Sequence, residues 1–388
     1  MAHIQKIYKD DGSFRGYRAF VELNVNPLNG KRNRKSKLFN KLKTAEKWMA
    51  EQINKAYEGS FINPSNITVG EYVLERWLNK HKKPQLAATT YDRYKGTIKT
   101  HIIPTMGHIK LQELRPDHIE FYFSSKRENG RIDKPGGLSE NTLKKHYVLL
   151  NEAMNRAIKL KLIKYNPVQA VESPKFKKKK AAAMSEIHYK KLLEVLEDDR
   201  LMYTFVMTEL MTGMRKSEIL GLEWSDIDLE KGVIQINKRL VRTSDGVIHE
   251  KGTKTESSQR KIKISPKLIK LLKKHKKKQQ EFKLFFGPLY DNSKSFVFCK
   301  PDGRYYHPRT YNRRFNIALK KAGLPSKYTI HTLRHTFATI NLRNGIPAKI
   351  VQEMLGHSTI STTLDLYTHV DLEMQNEAVK KLEGKFDF

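Results

Sequence analysis

The sequence has 388 residues, of which 38% are hydrophobic, and this length predicts two or three domains with modest cores. Lysine and arginine number 74 against 41 aspartates and glutamates, and the resulting charge of +33 favours nucleic acid as a partner. The absence of a long apolar run and of a signal-peptide core, together with a single cysteine (Cys299), argues against a membrane span, an internal disulfide and a thiolate metal cluster. These features predict a cytoplasmic protein.

Residues 1–62 are predicted to form a three-stranded sheet backed by one helix. Apolar and polar residues alternate over 17–25, the period of a half-buried strand, and residues 4–8 and 34–39 are the expected partner strands. Turns are expected at residues 10–12 and 29–30, and a helix capped by Thr44 should follow. Its buried face would comprise Ala45, Trp48, Met49, Gln52 and Ile53. Seven basic residues of the strands either meet a DNA groove or are merely solvated: Arg15, Arg18, Lys31, Arg32, Arg34, Lys35 and Lys37.

Residues 67–174 are predicted to form a second, helical domain. Helices are expected over 90–102, 115–129 and 140–162, and Asn166-Pro167 should end the last of them. Apolar residues recur in that helix at spacings of four and three, namely Leu143, Tyr147, Leu150, Met154 and Ala157. A charged linker at 177–180 then leads to a third domain.

Residues 182–388 are predicted to be mainly helical with one strand pair. Residues 233–238 alternate as a strand does, and residues 261–264 are the expected return strand. The lysine-rich stretch 270–283 is interpreted as the exposed face of a helix. The whole chain is therefore expected to be a multidomain protein of the α+β class.

Three motifs in this last region carry residues suited to binding phosphate. In Gly213-x-Arg215-x-x-Glu218, the glycine permits a sharp bend that would lift Arg215 off a helix end. The simpler alternative is a surface arginine paired with Glu218. In His331-x-x-Arg334, the two side chains share one helix face, and arginine can grip phosphate oxygens with a planar fork.

The same histidines admit a metal-binding alternative. His331 and His335 have the i, i+4 spacing of zinc ligands, and His357 could be a third ligand. Against this, position 332 is not acidic and Arg334 would place one cation beside another. The phosphate-binding interpretation is therefore preferred.

The third motif is Leu355-Gly356-His357, and Tyr367 follows it. An ordinary tyrosine hydroxyl has a pKa near 10 and is a poor nucleophile unless cations stabilise the phenolate. The two arginines and two histidines of the three motifs would supply the positive charge that stabilises the phenolate.

Taken in order, these motifs resemble those of the tyrosine recombinase (phage integrase) family. The resemblance implies one more catalytic residue, a lysine in a turn between strands, and Lys254 matches it, although Lys251, Lys261 and Lys263 are close in sequence. It implies that Arg215 and Arg334 clamp the scissile phosphate and that Tyr367 attacks it to form a 3′-phosphotyrosyl enzyme. It further implies Lys254 as general acid, His331 as an acid or base, and His357 as a group that orients the phosphate.

The resemblance also implies a biological setting. The expected protein is the integrase of a prophage or of an integrative or conjugative element. It would need no metal and no other cofactor. Residues 1–62 would bind arm sites, residues 67–174 core sites, and residues 182–388 would be catalytic on double-stranded DNA. Four protomers would assemble on DNA and pass through a Holliday junction, with accessory bending or excision factors as further partners. Alternatives are a chromosome-dimer resolvase, a type IB topoisomerase and a non-catalytic DNA-binding regulator.

Overall fold

The computed structural model describes residues 2–25, 32–57, 65–176, 183–243, 246–251 and 259–365. The chain divides into two compact units, Met1–Leu86 with Thr90–Lys177 and Ala87–Thr89 with Lys178–Phe388. The helices of each unit enclose a buried apolar core of that unit's own residues. Helices predominate and the sheets are small and antiparallel, so the predicted α+β class is confirmed.

In the described ranges, no helix combines the length and the apolar character that crossing a membrane requires.

The first unit begins with a three-stranded antiparallel sheet of β1 (Ala2–Tyr8), β2 (Phe14–Val25) and β3 (Arg32–Phe39), in that order. Helix α1 (Leu42–Tyr57) packs against it and buries Ala45. The predicted strands and helix are confirmed, but Thr44 lies inside α1, which begins at Leu42, so its assignment as the cap is wrong. The expected turn at 29–30 lies outside the described residues.

The sheet has one face covered by α1 and one open face. Ala19 and Val21 are buried on the covered side, and alternation places their neighbour Phe20 on the open side. The Arg34 guanidinium lies 4.2 Å from the centroid of the Phe20 ring, and the His3 ring stacks on Phe20 from 4.8 Å. The open face therefore carries the Arg34 cation in contact with the stacked rings of Phe20 and His3.

The predicted basic residues are divided between the two faces. Residues paired across an antiparallel sheet point to the same side. Lys35 pairs with Val21 and Lys37 with Ala19, which places both lysines on the α1 side. Arg18 alternates with them on the open side.

The rest of the first unit is helical, in agreement with the prediction. Helix α2 (Val69–Glu71) continues as a π-helix (Tyr72–Lys82) and a 3-10 turn (Lys83–Gln85). Helix α3 (Ala88–Thr97) continues through a π-helical segment (Ile98–Ile102) into α4 (Ile103–Met106). A 3-10 turn (Leu111–Glu113) then precedes α5 (Pro116–Asn129) and α6 (Glu140–Lys159). Helix α6 buries Leu143, Leu150, Met154 and Ala157 as expected. It ends at Lys159, so the prediction that Asn166-Pro167 ends it is wrong.

The second unit is built around α8, whose apolar side chains lie in its core. Its helices are α7 (Glu186–Val195), α8 (Arg200–Thr212), α9 (Lys216–Leu220), α10 (Pro266–Phe286), α11 (Pro308–Lys321), α12 (Ile330–Arg343), α13 (Ala348–Leu355) and α14 (Ile360–Leu364), with 3-10 turns at Trp224–Asp226 and Gly287–Leu289. The lysine-rich stretch lies on α10, as predicted, and α10 buries Leu268 and Leu272.

Two small sheets complete this unit. Strands β4 (Ile227–Asp228), β5 (Val233–Ile236) and β8 (Arg260–Lys263) form one, in the order β4-β5-β8, and β6 (Lys238–Thr243) and β7 (Gly246–Lys251) form a hairpin. The predicted strand pair is confirmed by the pairing of β5 with β8, but the expectation of a single pair is wrong because β6 and β7 intervene.

Candidate active site

The end of α8 turns sharply at Gly213. Its φ is +63°, and a Cβ added there would lie 2.4 Å from the Phe337 ring, so a side chain is excluded by both conformation and space. The predicted bend is thus confirmed. The chain then reaches Arg215, which is in extended conformation and directly precedes α9.

Arg215 is held through its backbone N–H and through both terminal nitrogens of its guanidinium group. Its backbone N–H donates to Glu218 Oε2 at 2.9 Å, and its Nη1 donates to Glu218 Oε1 at 2.7 Å. Its Nη2 donates to the Gly356 carbonyl at 2.9 Å. The pairing with Glu218 weighed from the sequence therefore exists, but Arg215 also reaches the Leu-Gly-His motif, and 35% of its side chain stays exposed.

Arg334 projects from α12 into the same place. Its Nη1 donates to the Gly213 carbonyl at 2.6 Å and its Nη2 to the Leu355 carbonyl at 2.7 Å, with 1% of the residue exposed. Burial, reinforced by the charge of Arg215, lowers the pKa of Arg334 to about 9. The guanidinium therefore remains charged at neutral pH.

Helix α13 ends at this cluster. Gly356 adopts a φ of +65°, which ends the helix and leaves its last carbonyls available to donors from elsewhere. His357 follows directly, and its Nδ1 lies 2.9 Å from Thr363 Oγ1 at α14. The Leu-Gly-His motif thus brings together a histidine side chain and two backbone carbonyls that accept hydrogen bonds from arginines.

The histidines beside these cations are neutral at physiological pH. Burial, followed by the charges of Arg334 and Arg215, lowers the pKa of His357 to about 3. Burial and the neighbouring His335 lower the pKa of His331 to about 4, although His331 keeps an exposed edge. Neutral imidazoles can accept or relay protons beside bound phosphate.

The geometry gives the zinc alternative no support. The rings of His331 and His335 meet edge to face with centroids 4.5 Å apart. Among the described residues, no group of three or more histidine, cysteine, aspartate or glutamate side chains is arranged to hold a metal ion.

Sequence reasoning missed a third arginine in the cluster. Arg260, the first residue of β8, donates from Nη1 and Nη2 to Glu218 Oε1 and Oε2 at 3.2 and 2.9 Å. Burial alone would raise the pKa of Glu218, but Arg260 and Arg215 outweigh burial and lower it. Glu218 is therefore an ionised carboxylate between two guanidinium groups. Arg260 has no local sequence signal, because Glu218 lies 42 residues away.

A second carboxyl, Glu209, was also not anticipated. It lies on α8 and is fully buried, and neither of its oxygens has a hydrogen-bond partner within the described structure. Burial raises the pKa of Glu209 well above its ordinary range, despite the opposing charges of Arg334 and Lys216. Burial therefore favours the protonated, uncharged form of Glu209 beside the arginine cluster.

The structure brings Arg215, Arg334 and His357 together, with His331 on the first turn of α12 nearby. Lys254 and Tyr367 lie outside the described residues, so their placement in the site stays a prediction.

Comparison with known proteins agrees with this arrangement. Residues 182–374 match the phage integrase family model, and residues 70–126 match the N-terminal SAM-like domain of phage integrases. A XerC-like tyrosine recombinase of Caldanaerobacter subterraneus is 29% identical over 92% of this chain and 93% of its own length. The ICEBs1 integrase of Bacillus subtilis is 24% identical over 95% of this chain and 96% of its own length.

A solved structure shares the fold. The Tn1549 transposon integrase, in complex with a circular intermediate DNA, superposes with a TM-score of 0.66 and 24% identity, covering 81% of this chain and 99% of that one. The chain belongs to the phage integrase family of tyrosine recombinases and is a site-specific recombinase.

Proposed function

We propose that this recombinase integrates and excises a mobile element by cutting and rejoining double-stranded DNA with Tyr367 as the nucleophile. The observation that carries the proposal is the binding of Arg215 and Arg334 to neighbouring carbonyls, Gly356 and Leu355, beside the neutral His357. Two fixed cations and a neutral imidazole suit a phosphate whose negative charge grows in the transition state.

Each proposed residue has a distinct part in the reaction. Arg215 and Arg334 bind the non-bridging oxygens, and Tyr367 attacks phosphorus to give a 3′-phosphotyrosine and a free 5′-hydroxyl. Lys254 protonates the departing 5′-oxygen, His331 assists proton transfer and His357 orients the phosphate. The reverse attack by a 5′-hydroxyl of the partner strand reseals the DNA, so no metal or nucleotide cofactor is required.

The decisive experiment is capture of the covalent intermediate. Tyr367→Phe removes only the attacking oxygen, so we expect no covalent adduct with a nicked attachment duplex, while DNA binding stays at the level of the unchanged protein. The adduct is measured on a denaturing gel and binding by mobility shift. Tyr328→Phe is the matched control, because Tyr328 lies in the same unit and its hydroxyl bonds at 2.8 Å to His188, which is not a residue of the cluster.

If Tyr367→Phe forms the adduct to the same extent as the wild-type protein, Tyr367 is not the nucleophile. Loss of DNA binding together with the adduct would contradict the expectation that the Tyr367 hydroxyl contributes only the attacking oxygen.

We assign residues 1–62 to arm-site binding, residues 67–174 to core-site binding and residues 182–388 to catalysis. Likeness to the ICEBs1 integrase along nearly the whole chain supports a mobile-element enzyme. We further propose a tetramer on DNA that passes through a Holliday junction, accessory bending or excision factors as partners, and action at the bacterial nucleoid in the cytoplasm. The charge of +33 supports extensive contact with DNA phosphates.

A further inference from the structure

Three arginines from separate parts of the chain converge on one turn. Arg260 on β8 donates from Nε to the Met354 carbonyl at 2.6 Å. Arg334 donates to the next carbonyl along the chain, Leu355, and Arg215 to the one after that, Gly356. Consecutive carbonyls at the end of α13 therefore each accept from a different guanidinium.

Arg260 differs from the other two arginines in how its donors are used. Its Nε, Nη1 and Nη2 all donate to this turn or to Glu218, and 7% of its side chain is exposed. In Arg215 and Arg334, by contrast, Nε makes no hydrogen bond to any described residue. Arg260 is thus committed to the protein, whereas Arg215, with 35% of its side chain exposed, can also reach a phosphate.

The local space is shaped around Arg260 as well. A Cβ on Gly356 would lie 3.0 Å from Arg260 Nη1 and 3.1 Å from its Cδ, so the glycine lets the side chain cross the turn. Arg260 also follows the segment that holds Lys254, and β8 is fixed to β5 by the pairing of Arg260 with Ile236.

Glu218 links Arg260 to Arg215. With both arginines present, the carboxylate charge is shared between two guanidinium groups. Without Arg260, the buried carboxylate would pair with Arg215 alone and cancel more of the positive charge that Arg215 offers to DNA.

We propose that Arg260 is a positioning residue for strand cleavage: through Glu218 it keeps the charge and direction of Arg215, and through the Met354 carbonyl it fixes the turn before His357. It does this without touching the DNA phosphate. The inference rests on the proposed function of Arg215 as a phosphate clamp.

The test compares two substrates in single-turnover reactions of the full chain with a nicked attachment duplex. One duplex has the natural scissile phosphodiester, and the other a methylphosphonate, in which a methyl group replaces a non-bridging oxygen and removes its negative charge. We expect Arg260→Gln to slow adduct formation on the phosphodiester about 30-fold, somewhat less than loss of a direct transition-state donor. On the neutral methylphosphonate the defect should shrink to about threefold or less, because little charge remains for Arg215 to offset.

The ratio of the two rates is independent of how much of a preparation is folded, so partial misfolding does not obscure the result. Arg260→Lys retains the positive charge but loses the planar guanidinium group. Its ratio of the two rates should therefore lie between those of Arg260→Gln and the wild-type protein. Arg314→Gln is the matched control, because it removes a forked pair with Asp199 in the same unit, and its ratio should equal that of the unchanged protein.

An equal slowing of Arg260→Gln on both substrates, or no slowing on either, would overturn the inference. Tyr367→Phe, run in parallel, separates this failure from failure of the proposed function. If Tyr367→Phe still forms the adduct, the proposed function is wrong. If it forms none while Arg260→Gln shows no charge-dependent defect, only the role of Arg260 is rejected.

Discussion

His357 connects the charge of the arginine cluster to the stability of the protein. Its pKa is lowered to about 3 in the folded protein by burial and by Arg334 and Arg215, whereas an unfolded histidine titrates near 6.5. Between these values the unfolded chain binds a proton that the folded chain does not. The contribution of His357 to stability is therefore complete above pH 6.5 and is lost as the pH falls toward 3.

We expect His357→Gln to lose less stability on acidification than the unchanged protein. The measurement is the free energy of unfolding in urea at several pH values between 7 and 4. His108→Gln, which removes an exposed histidine of the other unit, is the control for the loss of a histidine side chain. If the curve of His357→Gln is parallel to that of the wild-type protein, the pKa of His357 is not lowered in the folded protein.

Residue types and spacing predicted the part of the site that depends on local geometry. Gly213 was predicted as a bend because only glycine tolerates positive φ freely, and His331 and Arg334 share a helix face by periodicity alone. Arg260 could not be predicted in this way, since its acceptor Met354 lies 94 residues further along the chain. The burial of Glu209 could not be predicted either, because it depends on how other elements pack around α8.

At the scale of elements, the end of α13 depends on Gly356 for two separate reasons. Positive φ disfavours any other residue, and the neighbouring Arg260 fills the space that a side chain would need. Gly323 after α11 has a similar φ of +64°, but a Cβ there would meet nothing within 4 Å. Substituting each of these two glycines therefore distinguishes the effect of backbone strain from the effect of displacing Arg260.

We expect Gly323→Ala to lower the free energy of unfolding by about 1–2 kcal/mol, the cost of a left-handed alanine, and Gly356→Ala to lower it by more, because its side chain also displaces Arg260. Only Gly356→Ala should also slow adduct formation, because it alone displaces Arg260. Urea denaturation and the covalent-adduct assay measure the two effects. Equal cleavage rates for both variants would show that the Arg260 contact does not matter for the reaction.

The elements themselves were largely predictable where hydrophobic periodicity is strong. Helix α6 shows its buried face at spacings of four and three, but its end came earlier than Asn166-Pro167 because the chain turns at Leu160 and Lys161, where φ is +53°. The β6–β7 hairpin was missed although Asp245-Gly246 is a common hairpin turn signal. Its strands are short and rich in charge, so their alternation is weak.

At the scale of the whole molecule, the positive charge should act through particular faces. The open face of the N-terminal sheet carries Arg18 and Arg34, while Lys35 and Lys37 lie on the α1 side. If the open face meets DNA phosphates, the double change Arg18→Gln with Arg34→Gln should lower the salt slope of binding by about two units, about 0.9 per phosphate contact. Lys35→Gln with Lys37→Gln removes the same charge and should leave the slope nearly unchanged.

The slope is measured from the dissociation constant for long attachment DNA at several salt concentrations. Equal slopes for both double variants would show that the sheet contributes only diffuse charge. The sequence alone predicted a basic sheet but could not divide its cations between faces, because that division depends on which face α1 covers.

The convergence of three arginines on the end of α13 restricts where the chain can change in length. One residue inserted into α13 would rotate its last carbonyls by about 100° and shift them by about 1.5 Å, so that every arginine would lose its acceptor at once. A residue inserted at the exposed turn near Gly323, or at the exposed tip after α10, would leave all three pairs intact. Insertions and deletions that preserve recombination should therefore accumulate in those turns, while the distance from the start of α13 to His357 stays fixed.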